Sequence, residues 1–447
     1  MTDLIRPGAG LRAVAGGAPG EHRGLRPTGV LRAAALVALA AVLTACGGDS
    51  RERGEVASVT PTAAFSVAEV DASVAQQPGL GQLIGAPSQC GVAQHQLVYE
   101  SVDPRGRGAR ASAGLLIPTG CQGPFPVLVY HHGTTVFRAF TMSDPANTEA
   151  GLQRAMFAAQ GYVVVMPDYL GYGESDLGYH PYLQAENTAA VSIDALRAAR
   201  TALAERGVPL SDKLFLSGYS QGGHAAMATH RAIERDHADE FPITASAPMA
   251  GPYALEETFV SGMANPGQGA SLFAALTYTS YQKSWGDIYA SAQDAFQAPW
   301  ADTIEDLLPG TSSTTELITS GKLPLAIGGP GGLLTDSFLA LFADPDSSVR
   351  RRLADNSLLD WAPKGPMMLC SGARDPVVTF ANTITATGYF ASRGVTVTPV
   401  DVEQVPAFQP TIAAMVAAAP DLSTYHGTIV PPLCLSVVKN QFFDPRN

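Results

Sequence analysis

The sequence predicts an α/β fold in which a mostly parallel central sheet carries helices on both faces, with a helical insertion late in the chain. Short apolar runs alternate with stretches of helical periodicity, as they do in βαβ units. The runs are apolar at consecutive positions, which is typical of parallel strands buried on both faces. The alternation then stops between residues 253 and 366, a distance much longer than one βαβ crossover.

The predicted elements follow the chain in a regular order. An antiparallel hairpin comes first, because two β-rich runs flank a stretch of Asp, Pro and Gly that favours a turn. Valine-rich runs after it are predicted as strands, and stretches with apolar residues three or four positions apart as helices. The strands are residues 95–101, 111–117, 127–130, 162–166, 213–217, 243–247 and 367–370, and the helices are residues 149–160, 189–205 and 223–233.

The first 46 residues resemble the signal peptide of a bacterial lipoprotein. Five arginines precede an apolar run at residues 33–44, which is shorter than the roughly 20 residues that a spanning helix needs. The run ends in Leu-Thr-Ala-Cys-Gly, which resembles a lipobox, so cleavage is expected to leave Cys46 as a lipidated N-terminus. An ordinary signal peptide is the alternative, and Val30 is an alternative start of translation.

Composition and charge limit the partners of the chain. Residues 47–80 are rich in small and polar side chains and are predicted to be a flexible tether. The net charge of −12 is opposite in sign to that of a phosphate-binding surface, so no nucleic acid is expected as a partner. Together with the leader, this predicts an exported protein of the bacterial cell envelope, lipid-anchored in the outer membrane or secreted. A monomer is expected.

Four cysteines remain besides Cys46, an even number that predicts two disulfides in an exported protein. Cys90 and Cys121 lie at equal distances from the centre of the predicted hairpin, so they are expected to pair. That leaves Cys370 to pair with Cys434. The alternative is two buried free thiols, and the spacing of cysteines and histidines does not suggest a zinc site.

The candidate nucleophile lies in the pentapeptide Gly-Tyr-Ser-Gln-Gly at residues 218–222. It follows an apolar strand and begins a helix of small residues, which is the context of a nucleophile elbow. The tight turn would raise the hydroxyl of Ser220 above the sheet, and the two glycines would let strand and helix approach each other. The bare G-x-S-x-G pattern arises by chance in a glycine-rich chain, so the prediction depends on the flanking elements.

A serine nucleophile needs a base and an orienting carboxylate, which follow it along the chain in the order Asp or Glu, then His. Of the nine histidines, only His426 lies beyond residue 237, and it is predicted to be the base. Asp375 follows a predicted strand through a glycine turn and is predicted to be the acid. Asp401 and Glu403, which follow the next strand, are the alternatives.

The tetrahedral intermediate of such a reaction carries an oxyanion, which needs two backbone N–H donors. Gln221, the residue after the nucleophile, is predicted to supply one, and Thr134, in the loop after the strand at residues 127–130, the other. His131 and His132 in that loop look like metal ligands, but no third ligand lies at a suitable spacing. They are expected to shape the loop, and no metal or organic cofactor is expected.

The insertion at residues 253–366 is predicted to be a helical cap over the carboxyl ends of the strands, where α/β sheets bind ligands. All three tryptophans, at positions 285, 300 and 361, lie in it, and aromatic faces suit an apolar cleft. A helical appendage with its own core is the alternative. The expected layout is a signal peptide at 1–46, a tether at 47–80, a catalytic core at 81–252 and 367–447, and the cap at 253–366.

Four motifs together resemble the α/β-hydrolase superfamily, and within it the secretory lipase group of serine esterases with its bacterial lipoprotein members. They are YHHGT at 130–134, MPDYLGYG at 166–173, GYSQGG at 218–223, and DWAP at 360–363 with the segment up to Asp375. The resemblance implies the α/β-hydrolase fold from about Cys90 to Leu435 and a triad of Ser220, Asp375 and His426. It also implies activity on acylglycerols, synthetic esters and, in some members, aliphatic polyesters. Ser371 departs from the histidine that is common at its position.

These observations predict a serine carboxylesterase or lipase that hydrolyses small or polymeric carboxylic esters of apolar acyl groups. A serine peptidase of the same fold is one alternative. Such peptidases usually have a propeller domain or a charged pocket for the peptide terminus, and neither is visible in the sequence. A non-catalytic binding protein of the envelope is another, although such a protein would be expected to lack a triad member.

Overall fold

The computed structural model of the chain describes residues 52–77, 79–418, 422 and 424–447. The predicted signal peptide and Cys46 lie outside the described residues. Among the helices that are described, none is both long enough and apolar enough to cross a bilayer.

A nine-stranded sheet forms the centre of the described part, in the order β1-β2-β3-β5-β4-β6-β7-β8-β9. The first three strands and the β3–β5 pair are antiparallel, and every neighbouring pair from β5 to β9 is parallel. The predicted mostly parallel sheet is therefore confirmed. The strands are β1 (Val56–Phe65), β2 (Gly91–Val102), β3 (Gly108–Thr119), β4 (Phe125–His131), β5 (Val163–Pro167), β6 (Leu210–Tyr219), β7 (Ala245–Met249), β8 (Met368–Ser371) and β9 (Thr398–Asp401).

Helices cover both faces of this sheet. They are α1 (Val67–Ala75), α2 (Leu80–Ile84), α3 (Thr148–Met156), α4 (Ala185–Glu205), α5 (Gln221–Asp236), α6 (Leu255–Ala264), α7 (Ala270–Trp285), α8 (Ala292–Ala295), α9 (Ile304–Leu307), α10 (Thr314–Thr319), α11 (Asp336–Ala343), α12 (Ser348–Asp355), α13 (Ala381–Ser392), α14 (Gln409–Ala418) and α15 (Val430–Val437). A π-helical turn, Tyr425–Ile429, directly precedes α15.

Two apolar clusters lie on opposite faces of the sheet, because successive side chains of a strand point to opposite sides. In β4, Val127 and Val129 pack in the cluster beneath α4, α5 and α13, whereas Leu128 and Tyr130 pack in the cluster with α3 and α15. All four side chains are buried. This explains why the sequence of the strand is apolar at consecutive positions.

The predicted tether at residues 47–80 is wrong for its described part. β1 pairs antiparallel with β2, with Val59 opposite Leu97 and Ala64 opposite Ala93. α1 follows with a capping box in which Ser66 and Glu69 each accept the other's backbone N–H. The segment is ordered because its backbone groups pair with those of β2. Its strand carries little apolar alternation, since β1 is the exposed edge strand of the sheet.

Both predicted disulfide pairings are present. Cys90 bonds to Cys121 with a Cα–Cα distance of 5.3 Å, and Cys370 to Cys434 with a Cα–Cα distance of 5.7 Å. The first closes the open end of the β2–β3 hairpin, where Gly91 faces Thr119. The second joins β8 to α15.

Seven helices, α6 to α12, lie between β7 and β8 and form the helical insertion, here residues 253–366. Its apolar side chains make a third cluster, which also includes Val136, Tyr182 and Leu183 from the preceding part of the chain. The insertion thus has a core of its own and also packs against the segments that follow β4 and precede α4.

Candidate active site

The nucleophile elbow is the sharp turn between β6, which ends at Tyr219, and α5, which begins at Gln221. Ser220 alone occupies the turn, with φ 59° and ψ −120°, a backbone conformation that non-glycine residues rarely adopt. A Cβ on Gly222 would lie 1.9 Å from the carbonyl oxygen of His131, and one on Gly218 would lie 2.3 Å from the carbonyl oxygen of Gly222. Both glycines are therefore required by close backbone contacts.

The predicted base and acid converge on this serine. His426 Nε2 lies 2.8 Å from Ser220 Oγ, and His426 Nδ1 lies 2.6 Å from Asp375 Oδ2. Because a carboxylate can only accept, Nδ1 carries the hydrogen in the neutral ring and Nε2 presents its lone pair to the serine hydroxyl. The structure brings together three side chains that are 51 to 206 positions apart.

The Asp375 carboxylate is fixed by the loop that follows β8. Its other oxygen, Oδ1, accepts hydrogen bonds from the backbone N–H groups of Val377, at 2.9 Å, and Val378, at 3.0 Å. The side chain is buried. A carboxylate held in this way keeps one oxygen free to orient an imidazole.

Asp401 and Glu403, the alternative acids, occupy other positions. Asp401 Oδ1 accepts from Ala373 N at 3.1 Å, and Glu403 accepts from Arg374 N at 3.0 Å and Arg374 Nε at 2.8 Å. Both carboxylates therefore brace the loop that carries Asp375. The hydroxyl of Tyr425, next to His426, also donates to Glu403.

The two predicted oxyanion donors belong to segments that adjoin Ser220. Gln221 begins α5, so its N–H belongs to the first turn, where backbone donors have no intrahelical partner. The loop after β4 also lies close to the serine, since a Cβ on Gly133 would be 3.9 Å from Ser220 Cβ. Thr134 follows, and its hydroxyl bonds to Tyr182 Oη at 2.9 Å.

Glu149 is a part of the site that the sequence did not reveal. Its carboxylate accepts from Tyr130 Oη at 2.8 Å and from the backbone N–H of Gly133 at 3.3 Å. It thereby holds the loop that carries Thr134. Desolvation raises the pKa of Glu149 to about 7. Nothing in the spacing of the sequence signals this contact, which depends on how α3 packs beside β4.

Three other histidines near the elbow, His131, His132 and His180, are buried and hydrogen-bonded to groups outside the triad. His131 Nδ1 lies 3.0 Å from the carbonyl oxygen of Ser217, and His132 lies between the carbonyl oxygens of Gly133 and Asp168. Burial lowers the pKa of both rings to about 4. His180 accepts from the side-chain amide of Gln221 at 2.7 Å, and burial lowers its pKa to about 3. Among the described residues, no group of three or more His, Cys, Asp and Glu could hold a metal ion.

Comparisons with known proteins find similar lipases and esterases. A family model described as secretory lipase matches residues 151–254. The chain is similar to a ligand-bound form of the rice cell wall degrading esterase LipA from Xanthomonas oryzae, with 35% identity and a TM-score of 0.79 over 89% of this chain and 100% of that chain. It is also similar to a putative hydrolase from Legionella pneumophila subsp. pneumophila str. Philadelphia 1, with 26% identity and a TM-score of 0.71 over 78% of this chain and 91% of that chain.

A more distant likeness concerns the fold alone. Candida antarctica lipase A in its closed state has 16% identity and a TM-score of 0.55 over 79% of this chain and 77% of that chain. A search of curated proteins gave no match.

Proposed function

The chain belongs to the secretory lipase family of α/β-hydrolase carboxylic ester hydrolases, and we propose that it hydrolyses esters of apolar acyl groups through an acyl-enzyme on Ser220. The observation that supports this most directly is the continuous hydrogen-bonded chain from the serine to His426, at 2.8 Å, and from His426 to Asp375, at 2.6 Å. A hydroxyl becomes an effective nucleophile when a positioned base removes its proton.

The proposed reaction has two halves that use the same groups. His426 Nε2 takes the proton of Ser220 as the hydroxyl oxygen attacks the ester carbonyl, and Asp375 stabilises the imidazolium. The oxyanion accepts from the backbone N–H groups of Gln221 and Thr134, each of which lowers the barrier by about 3–4 kcal/mol. The alcohol leaves with the proton from His426. Water, activated by the same base, then attacks the acyl-enzyme and releases the acid.

The substrates that we propose are small or polymeric esters, including acylglycerols and aliphatic polyesters. The helical insertion acts in this proposal as a cap whose aromatic and aliphatic side chains favour apolar acyl groups. Ser220 and His426 are both partly exposed, which supports access for a bulky substrate. The similar Xanthomonas oryzae protein is a rice cell wall degrading esterase, which supports including polymeric esters.

The protein is exported, and we propose that a lipid on Cys46 anchors it to the outer membrane as a monomer. The leader and its lipobox-like end support the anchor, and two disulfides suit an oxidising compartment. Cells fed a labelled fatty acid should label the wild-type protein but not Cys46→Ala. Equal labelling of both proteins would exclude this anchor.

Replacement of the nucleophile tests the catalytic proposal. Ser220→Ala should lower turnover of a nitrophenyl ester about 10⁶-fold, because the triad acts as a unit. Ser217→Ala is the matched control: it lies on the strand before the nucleophile, and its buried hydroxyl donates to Ala247 O at 2.7 Å rather than to a triad residue. It should keep its activity.

Ser220→Ala and Ser217→Ala also serve to measure the substrate range. Nitrophenyl esters of increasing acyl length, a peptide anilide and a polyester emulsion should separate the hypotheses. Turnover of the peptide anilide alone would favour a peptidase. Ester turnover that persists in Ser220→Ala would overturn the mechanism.

A further inference from the structure

We propose that Tyr219, the residue before the nucleophile, is a positioning residue that holds His426 through its main-chain carbonyl. The proposal rests on the proposed function, in which His426 is the general base. The phenol Oη lies 2.6 Å from His426 O and 3.2 Å from His426 Nδ1. Among the described residues of the elbow, only Tyr219 and Ser220 form hydrogen bonds to His426.

The local sequence explains why this carbonyl needs an external donor. Residues Tyr425–Ile429 form a π-helical turn, in which the N–H of Val430 bonds to Tyr425 O. The corresponding donor for His426 O would be the N–H of Pro431, and proline has none. The carbonyl of the proposed base therefore lacks its helical partner, and the Tyr219 hydroxyl supplies the missing donor.

The phenol is suited to this task in both position and charge. Tyr219 is only 5% exposed and its ring centroid lies 5.0 Å from that of His426. Burial raises the pKa of Tyr219 well above its ordinary value, so the hydroxyl stays neutral and keeps its hydrogen for the carbonyl. The phenol oxygen can then accept from Nδ1–H beside Asp375, whose Oδ2 is nearer, at 2.6 Å.

One residue thus links the nucleophile strand to the base. Tyr219 is covalently adjacent to Ser220 and hydrogen-bonded to the backbone of His426, so the separation of Oγ and Nε2 depends on a short, buried connection. A displacement of about 1 Å in a catalytic group can lower turnover about 100-fold. Loss of the phenol hydroxyl should therefore affect the rate of the chemical steps more than substrate binding.

The direct test compares Tyr219→Phe with Tyr99→Phe. Tyr99 is the matched control, since it is also buried and its hydroxyl also donates to a backbone carbonyl, Val191 O, at 3.1 Å. With a soluble ester, Tyr219→Phe should lower kcat about 10- to 100-fold and change KM less than twofold, whereas Tyr99→Phe should leave kcat unchanged. Thermal denaturation should show similar shifts for both.

A kcat for Tyr219→Phe within threefold of wild type would overturn the proposal, as would an equal loss in Tyr99→Phe. A double-mutant cycle with Pro431→Ala tests the carbonyl itself, because alanine restores an N–H at position 431. The fold loss caused by Tyr219→Phe should be smaller in the Pro431→Ala background. An equal loss in both backgrounds would overturn the role assigned to the carbonyl.

Ser220→Ala separates failure of this inference from failure of the proposed function. If Ser220→Ala retains ester turnover, the proposed function fails. If Ser220→Ala is inactive while Tyr219→Phe is as active as wild type, the triad stands and only the positioning role is wrong.

Discussion

The strained backbone of Ser220 is held in place by hydrogen bonds to neighbouring residues. A residue in such a conformation costs on the order of 1–3 kcal/mol, so its surroundings must determine it. Its N–H donates to Met249 O on β7 at 3.0 Å, and its carbonyl accepts from Gly223 N at 2.9 Å and His224 N at 3.3 Å. The serine is therefore held by the neighbouring strand on one side and by the first turn of α5 on the other.

Glu149 is a carboxyl group near the elbow whose charge is disfavoured by burial. Desolvation raises the pKa of this carboxyl group from its ordinary value of about 4.5 to about 7. Because the folded protein holds this proton more tightly, the contribution of Glu149 to stability is greatest below pH 4.5 and decreases as pH rises to about 7. The carboxylate nevertheless remains bonded to Tyr130 and Gly133.

Glu149→Gln should remove this pH dependence. At pH 8 the free energy of unfolding of the variant should be about 3 kcal/mol higher than that of wild type, because the neutral amide avoids the desolvation cost of the charge. At pH 4 the two proteins should be equally stable, which provides the internal control. Urea denaturation at both pH values measures the difference. Parallel pH profiles of the two proteins would contradict the assigned cause.

At the scale of elements, the helical insertion is attached to the rest of the chain by specific hydrogen bonds. Arg105, in the β2–β3 turn, donates to Lys283 O at 2.7 Å and Ser284 O at 3.1 Å, at the carboxyl end of α7. Gln184 Nε2 donates to Ser284 Oγ at 2.9 Å. Cations and donors at a helix C-terminus satisfy its last carbonyls.

A second attachment joins the insertion to the loop after β4, which carries Thr134. Gly310 N donates to Val136 O at 2.8 Å, and Arg138 N donates to Gly310 O at 2.9 Å, so the insertion forms a short parallel bridge with the segment that follows Thr134. The insertion therefore supports one of the two proposed oxyanion donors.

The elements that the sequence predicted well are those in which local pattern and tertiary role agree. The valine-rich β5 is buried on both faces, and its apolar run is visible without the structure. β1 was mistaken for a tether because an edge strand needs few apolar side chains, and Pro61 within it is a residue that strands usually exclude. It is ordered because it hydrogen-bonds to the backbone of β2, and the local sequence of β1 does not indicate this pairing.

At the scale of the whole molecule, chain order predicted which residues would meet but not how they are held. The glycine turn after β8 and the single late histidine pointed to Asp375 and His426. The contact between Tyr219 and His426 joins residues 207 positions apart. It depends on a π-helical turn and on Pro431, and the sequence does not show that this turn lies beside the end of β6.

The Cys370–Cys434 disulfide links the strand that precedes the proposed acid to the helix that follows the proposed base. Cys370 lies on β8, just before the Asp375 loop, and Cys434 lies on α15, just after the His426 turn. Both are completely buried. The bond closes a loop with a sequence separation of 64, which in the chain-entropy model contributes about 4 kcal/mol. Cys90–Cys121 closes a separation of 31 and should contribute nearly as much.

The two disulfides should therefore differ in their effect on catalysis rather than on stability. Cys370→Ala with Cys434→Ala should lower both the melting temperature and kcat, because the acid strand and the base turn lose their covalent link. Cys90→Ala with Cys121→Ala, the matched control, should lower the melting temperature to a similar degree and leave kcat unchanged, since it closes a hairpin away from the elbow. Thermal denaturation and ester turnover, measured well below the onset of unfolding, give both quantities. Equal kcat values in the two double variants would mean that packing alone positions the acid and the base.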